Sequence, residues 1–88
     1  MDILFDTSSV HFSTPSLLTL LYDTQRLISY HASQEARARS STHVRVSVAR
    51  AGEGYCFTIR YGTKNSEQFV QIGSVEELTS EQLLNLPR

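Results

Sequence analysis

Two segments of alternating apolar and polar residues, 43–50 and 55–61, stand on either side of Ala51-Gly-Glu-Gly54 in this chain. Successive side chains of a strand point to opposite faces, so a period of two indicates a strand with one apolar face. Two such runs joined by a short glycine-containing loop are typical of a β-hairpin. The pattern therefore predicts a hairpin with one buried face and one polar face, and no other feature constrains the fold as strongly.

The four-residue loop sets the register of this hairpin. On the apolar face, the register opposes Arg50 to Tyr55, Val48 to Phe57, Val46 to Ile59 and Val44 to Tyr61. On the polar face, it opposes Ser47 to Thr58 and Arg45 to Arg60. Like charges directly opposite one another are unfavourable, so the arginine pair needs a neighbouring anion.

A third strand is predicted over Glu67 to Ile72, following a turn at Gly62-Thr-Lys-Asn65. In the register that a four-residue turn gives, Glu67 opposes Arg60 and supplies the missing anion. The same register opposes Phe69 to Thr58, Val70 to Phe57 and Ile72 to Tyr55. It buries Val70 and Ile72 and leaves Phe69 exposed on the polar face.

A long helix is predicted to begin at Pro15, because Thr14 can cap its free amides and proline suits the first helical position. Beyond this start, apolar residues recur at helical spacing along one stripe. We favour an end near Ser33, since Glu35 falls in the middle of that stripe. The alternative is a helix to Arg39, about 37 Å long, whose last two turns would overhang strands of roughly 20 to 26 Å.

The two ends of the chain carry shorter signals. Ile3-Leu-Phe5 and Val10-His-Phe12 are apolar pieces, so residues 1–12 hold either an edge strand or a flexible N-terminus. Ser74-Val-Glu-Glu77 and Thr79-Ser-Glu-Gln82 both match the capping box that starts a helix. One or two short helical turns are therefore predicted near the C-terminus.

These elements predict one α+β domain over residues 1–88. It consists of a three-stranded antiparallel β-meander, with a fourth N-terminal edge strand as a further option, packed on one long α-helix and a short C-terminal helix. The predicted core residues are Leu17, Leu20, Leu21, Leu27, Ile28, Val44, Val46, Val48, Phe57, Ile59, Val70 and Ile72. Because so small a core leaves little stability margin, a homodimer or a bound partner is favoured.

The composition restricts the classes of partner and the compartment. A formal net charge of −1 argues against a surface that is basic throughout, as an extended nucleic-acid interface requires. Cys56 is the only cysteine, so a disulfide within the chain is excluded and a reducing, cytoplasmic location is expected. No run approaches the ~20 apolar residues of a membrane span, so we expect no membrane partner.

No residue pattern indicates catalysis. The three histidines, His11, His31 and His43, show no metal-ligand spacing among themselves or with the acidic residues. The glycines fall at predicted turns and form no phosphate-binding loop. We therefore expect no enzymatic activity, no metal and no cofactor.

The polar face of the sheet is the best candidate for a binding surface. An exposed aromatic residue between strand arginines is typical of recognition surfaces, and a protruding helix end would add two more arginines. The predicted partner-binding residues are Arg37, Arg39, Arg45, Arg60 and Phe69. They lead to the hypothesis of a small non-enzymatic protein-binding module, an adaptor or inhibitor that occupies a partner's surface or binds a second copy of itself.

Two alternatives stay open, a structural subunit of an oligomer and a nucleic-acid binder. The second requires convergence of Arg37, Arg39, Arg45, Arg50, Arg60 and Lys64. The order helix, three antiparallel strands, helix resembles the double-stranded RNA-binding domain. That family binds phosphates with a basic cluster at the start of its final helix, where this chain has Thr79-Ser-Glu-Gln82, so we do not assign the chain to it.

Overall fold

The computed structural model of the protein describes residues 2–8 and 15–86, and for residues 15–21 it describes the backbone alone. The described elements are β1 Asp2–Asp6, α1 Pro15–Ala38, β2 His43–Ala51, β3 Gly54–Asn65, β4 Gln68–Gln71, β5 Glu76–Thr79 and α2 Ser80–Leu84. The strands form one mixed sheet, and both helices contribute residues to a core on one of its faces. The predicted α+β class is confirmed.

The β2–β3 hairpin has the register that the alternating pattern predicts. Val46 pairs with Ile59, and Arg45 pairs with Arg60 on the opposite face. The other predicted pairs are also found, namely Val44 with Tyr61, Ser47 with Thr58, Val48 with Phe57 and Arg50 with Tyr55. In the turn, Gly52 has a φ of 60°, a conformation that glycine adopts without the steric cost of a Cβ. The hairpin and its register are confirmed, but Ala51 also pairs with Gly54, so the turn has two residues and not the predicted four.

Two strands, β4 and β5, pair with β3 along the same edge, where the sequence pattern predicts a single strand. The register predicted for that strand is wrong. β3 continues to Asn65, and a tight turn of two residues with positive φ, Ser66 and Glu67, leads into β4. β4 therefore pairs with the far end of β3, where Phe69 is opposite Lys64. The sequence pattern missed this because a polar strand end resembles a loop in composition.

β5 occupies the segment in which the first capping box predicts a helix, so that prediction is wrong. Its Leu78 lies opposite Phe57 on β3, and strand pairing there satisfies backbone groups that a helix would otherwise pair internally. Between the end of β4 and the start of β5, residues 72–75 lie against two residues of β3, Arg60 and Tyr61. The chain therefore bulges out of the sheet at this point.

The second capping box does begin a helix, α2, as predicted. The backbone amide of Gln82 donates to the Thr79 hydroxyl at 3.1 Å, and the backbone amide of Thr79 donates to Oε1 of Gln82 at 2.9 Å. This reciprocal pair satisfies two amides at the helix start. Leu83 of α2 is buried in the core.

β1 lies at one edge of the sheet and runs parallel to β2, with Ile3 opposite Val44 and Phe5 opposite Val46. The N-terminal edge strand is thus confirmed at the first of the two apolar pieces. The second piece, Val10 to Phe12, lies outside the described residues. Parallel neighbours need a crossover connection, and α1 lies between β1 and β2 in the chain, so the sheet is mixed and not wholly antiparallel.

α1 continues to Ala38, so the end predicted near Ser33 is wrong. Ala32 and Ala36 have no exposed surface and belong to the core cluster, which shows that the last turns pack on the sheet and do not overhang it. A helix of 24 residues is about 36 Å long, and the 12 residues of β3 extend about 40 Å. The two elements are therefore similar in length, and the small side chains of Ala32 and Ala36 let these turns of α1 approach the sheet closely.

The core lies between α1 and the inner face of the sheet, defined as the face that carries Val46 and Ile59. The predicted core residues that are buried there are Ile28, Val44, Val46, Val48, Phe57 and Ile59, with Leu27 packed against them. Two large residues of the same face, Tyr55 and Tyr61, are also buried. The side chains of Leu17, Leu20 and Leu21 are outside the description.

Val70 is 43% exposed, so its predicted place in the core is wrong, and Ile72 is only half-buried. The reason is the register of β4, which pairs with β3 at and beyond Gly62. At this end of the sheet α1 has already ended. The loop that follows it lies beside β3, where the amide of Thr42 donates to the Gly62 carbonyl. Val70 therefore faces the inner side where no helix covers it in the described residues.

Candidate functional site

The face of the sheet opposite α1, here called the outer face, carries every second residue of the strands. Its central side chains are Leu4 on β1, Arg45 and Ser47 on β2, Thr58 and Arg60 on β3, and Phe69 on β4. The buried residues of α1 and α2 all pack on the inner face, so neither helix covers the outer one. Leu4 is 60% exposed, and Arg45 is exposed beside it.

The ring of Phe69 lies over Gly62 and reaches the guanidinium group of Arg45. Cζ of Arg45 is 4.6 Å from the ring centroid, which is a cation–π contact. A Cβ on Gly62 would lie 2.6 Å from Cζ of the ring, so the lack of a side chain there makes room for the aromatic residue. Phe69 is half-buried in this position. The sheet therefore holds an arginine and an aromatic ring together in one fixed arrangement.

The opposed arginines of the outer face, Arg45 and Arg60, have no carboxylate partner among the described residues. Glu67, predicted to neutralise Arg60, lies in the β3–β4 turn, where its Oε2 is 3.2 Å from Nζ of Lys64. That prediction is wrong because β4 is in a different register. Arg60 donates to Oγ of Ser47 at 3.5 Å instead. Two positive groups are thus left for an external anion.

A shallow cavity of about 180 Å³ opens on the outer face next to Phe69. Its lining residues are Asp2, Leu4, His43, Val44, Arg45, Lys64, Glu67 and Phe69. Charges of both signs are present, since Arg45 and Lys64 line the cavity together with Asp2 and Glu67. Pockets for small molecules have volumes of roughly 300 to 1,000 Å³. The cavity is therefore suited to one inserted side chain.

Arg37, in the last turn of α1, and Arg39, directly after the helix, lie on the other side of the sheet. Cζ of Arg39 is 4.4 Å from the ring centroid of Tyr61, and its Nε is 3.3 Å from Oε2 of Glu35. Arg37 is exposed in the last turn of α1. Of the five predicted partner-binding residues, the fold therefore brings together Arg45, Arg60 and Phe69 and separates them from Arg37 and Arg39.

A second polar cluster, made of His31, Glu76 and Tyr61, joins α1 to β5 on the inner side. Nε2 of His31 is 3.0 Å from both carboxylate oxygens of Glu76, and the Tyr61 hydroxyl donates to Oε1 at 2.8 Å. Burial, followed by the hydrogen bond and charge of Glu76, raises the pKa of Tyr61 above its usual value. The hydroxyl therefore stays a donor, and the cluster connects the first residue of β5 to α1.

No sequence pattern indicates this cluster. His31 and Glu76 are separated by 45 positions, and Glu76 lies in the segment that the capping-box pattern predicted as helical. Only the pairing of β5 with β3 brings the glutamate beside α1.

Among the residues that the structure describes, no group of three or more His, Cys, Asp and Glu side chains could hold a metal ion. Within ranges 2–8 and 15–86, neither helix has the length and apolar character needed to cross a membrane. No protein-family model matches the chain, and no curated protein or solved structure matches it either. The outer face must therefore be interpreted from its own geometry.

Proposed function

We propose that this protein is a non-enzymatic protein-binding module, an adaptor or inhibitor that uses the outer face to occupy the surface of a partner protein. The observation that carries the proposal is the stack of Arg45 on Phe69 beside the exposed side chain of Leu4. Aromatic and arginine side chains contribute most of the binding energy in many protein interfaces. An adjacent cavity that admits one side chain adds a point of specificity.

The preorganisation of this surface supports the proposal. Strands β2, β3 and β4 fix the backbone of the contact residues, and the Gly62 position fixes the ring of Phe69. Binding through side chains that are already ordered loses less conformational entropy than binding through mobile ones. The ordered side chains of Arg45 and Phe69 can therefore contribute binding energy in a small interface.

The distribution of charge favours a protein partner over nucleic acid. Arg45, Arg60 and Lys64 lie on the outer face, but Arg37 and Arg39 lie on the other side, so the arginines do not converge. Acidic residues share the outer face, namely Asp2, Asp6 and Glu77. Nucleic acid requires a surface of one sign, whereas mixed charge is typical of a complementary protein surface.

Affinity capture from native lysate tests this proposal when charge-reversal variants are compared. Arg45→Glu reverses the charge of the arginine that stacks on Phe69, here called the outer-face anchor. Arg26→Glu makes the same change on the exposed side of α1. We expect the parent protein and Arg26→Glu to recover the same partner and Arg45→Glu to lose it. Circular dichroism confirms that both variants are folded.

Equal recovery by all three proteins would overturn the proposed surface. Recovery that disappears after nuclease treatment would favour the nucleic-acid alternative. Light scattering of the purified protein shows whether the partner is a second copy, and in that case Arg45→Glu should be the monomeric variant.

A further inference from the structure

The outer edge of β1 carries backbone groups that no described strand pairs. Among the described strands, β1 is hydrogen-bonded to β2 alone, and the amide of Asp2 donates to the Thr42 carbonyl at 3.4 Å. In a parallel pair, the N–H and C=O groups of alternate residues point to the same neighbour. Because the backbone amide of Asp2 points to β2, the backbone groups of Ile3 and Phe5 point to the opposite edge of β1. These two residues present the donors and acceptors that an added strand would use.

The side chains of β1 offer apolar surface on both faces of this edge. Leu4 is 60% exposed on the outer face, and Ile3 and Phe5 are half-buried against the core on the inner face. A strand placed beside β1 would cover all three. Its outward side chain opposite Leu4 would continue the surface formed by the Arg45 and Phe69 stack.

Acidic residues stand at both ends of β1. The side chain of Asp2 is 86% exposed. Asp6 is also exposed, and it accepts hydrogen bonds from the hydroxyl of Ser8 at 2.7 Å and from its amide at 3.0 Å, which lower the pKa of its carboxyl group. The side chains of both aspartates point to the outer face, and that of Leu4 lies between them. The edge therefore carries an apolar centre between two carboxylates.

This charge pattern disfavours a second copy of β1 as the occupant. Antiparallel pairing centred on Leu4 would oppose Asp2 to Asp6, and parallel pairing in register would oppose each aspartate to itself. Like charges directly opposite one another destabilise a strand pair. A strand with basic residues at the same positions would instead form two favourable cross-strand pairs.

We propose that β1 binds an extended segment of the partner protein as an additional strand, and that this segment has three apolar residues flanked by Lys or Arg. The inference rests on the proposed function, because it identifies how the partner of the outer face is held. Backbone hydrogen bonds to Ile3 and Phe5 provide affinity, and the basic ends and apolar centre provide specificity, as in other cases of strand addition.

A synthetic peptide tests the proposal directly. The probe contains Lys-Val-Leu-Val-Lys between pairs of glycines, with blocked ends, and the matched control has Glu in place of both Lys. We expect the lysine peptide to bind about fivefold or more tightly than the control in calorimetry. In nuclear magnetic resonance titrations, the amides of Ile3 and Phe5 should shift most.

A second experiment reverses the charges of the two aspartates of β1. Asp2→Lys combined with Asp6→Lys should reverse the preference, so that the glutamate peptide binds more tightly, while circular dichroism shows that the variant is folded. Equal binding of the two peptides, an unchanged preference in the variant, or amide shifts confined to another surface would overturn the inference.

The two proposals can fail separately. If partner capture depends on Arg45 but neither peptide binds β1, the strand-addition inference is wrong and the proposed function stands. If the lysine peptide binds β1 but partner capture does not depend on Arg45, the edge is a binding site and the outer-face anchor is wrong.

Discussion

The hydroxyl of Tyr61 donates a 2.8 Å hydrogen bond to Oε1 of Glu76, whose two oxygens also lie 3.0 Å from Nε2 of His31. The contact connects the central strand β3 to the start of β5 and both to α1. Glu76 is the first residue of β5, so this polar contact lies directly after the bulge between β4 and β5.

Replacement of Tyr61 by Phe removes this hydrogen bond to a charged group, and we expect a loss of about 1.5 kcal/mol or more in the free energy of unfolding. Tyr55→Phe is the matched control, because the buried hydroxyl of Tyr55 has no hydrogen-bond partner among the described residues. That variant should be as stable as the parent protein or slightly more stable. Urea unfolding of the two variants provides the comparison, and equal losses would contradict the assignment.

The dependence of stability on alkaline pH should also involve Tyr61. Its pKa is raised in the folded state, so the folded protein keeps a proton that an unfolded tyrosine loses above about pH 10. The free energy of unfolding must then fall as the pH rises above that value. The advantage of the parent protein over Tyr61→Phe should be constant near neutral pH and shrink between about pH 10 and pH 11. An advantage that stays constant to pH 11 would refute this expectation.

Gly62→Ala should be strongly destabilising, by about 2 kcal/mol or more. The added Cβ would lie 2.3 Å from the backbone oxygen of Val70 and 2.6 Å from the ring of Phe69. Addition of Phe69→Ala removes the ring but leaves the carbonyl, so the double variant should remain destabilised. Thermal melts of both variants test this, and full recovery in the double variant would mean that the ring alone limits the space.

The packing of the last turns of α1 can be tested with the same substitution at two nearby positions. Ala36 has no exposed surface, so Ala36→Gln inserts a larger polar side chain into the core and should cost about 2 kcal/mol or more. Ala38 is exposed, and Ala38→Gln should change stability by less than about 0.5 kcal/mol. Similar melting temperatures for the two variants would indicate that the helix end does not pack on the sheet.

Val46→Asp should unfold the protein or destabilise it by about 3 kcal/mol or more, because Val46 is fully buried opposite Ile59. Val70→Asp makes the same change at a residue that is 43% exposed, and we expect a loss of less than about 1 kcal/mol. Circular-dichroism melts distinguish the two. A large loss in Val70→Asp would show that β4 contributes to the core after all.

The sequence alone determined the features that depend on local patterning. Alternation of side chains and the short glycine-containing loop after Arg50 specified the β2–β3 register, because a slip of one residue would expose every core side chain of the hairpin. The N-cap at Thr79 was equally readable, since its hydrogen bonds join residues three positions apart. The face of Phe69 was also predicted correctly although its partner was not. Phe69 pairs with Lys64 and not with the predicted Thr58. These two residues of β3 are an even number of positions apart, so both have side chains on the outer face.

Tertiary structure decided where the elements end and which distant groups meet. α1 extends past Ser33 because Ala32 and Ala36 are buried in the core cluster, a tertiary contact that helical periodicity alone does not show. Ser74 to Glu77 follow a helix-start pattern, but pairing with β3 and the contact of Glu76 with His31 stabilise a strand instead. The candidate site shows the same division: its face follows from alternation, whereas the stack of Arg45 on Phe69 depends on non-local pairing, which sequence periodicity does not encode.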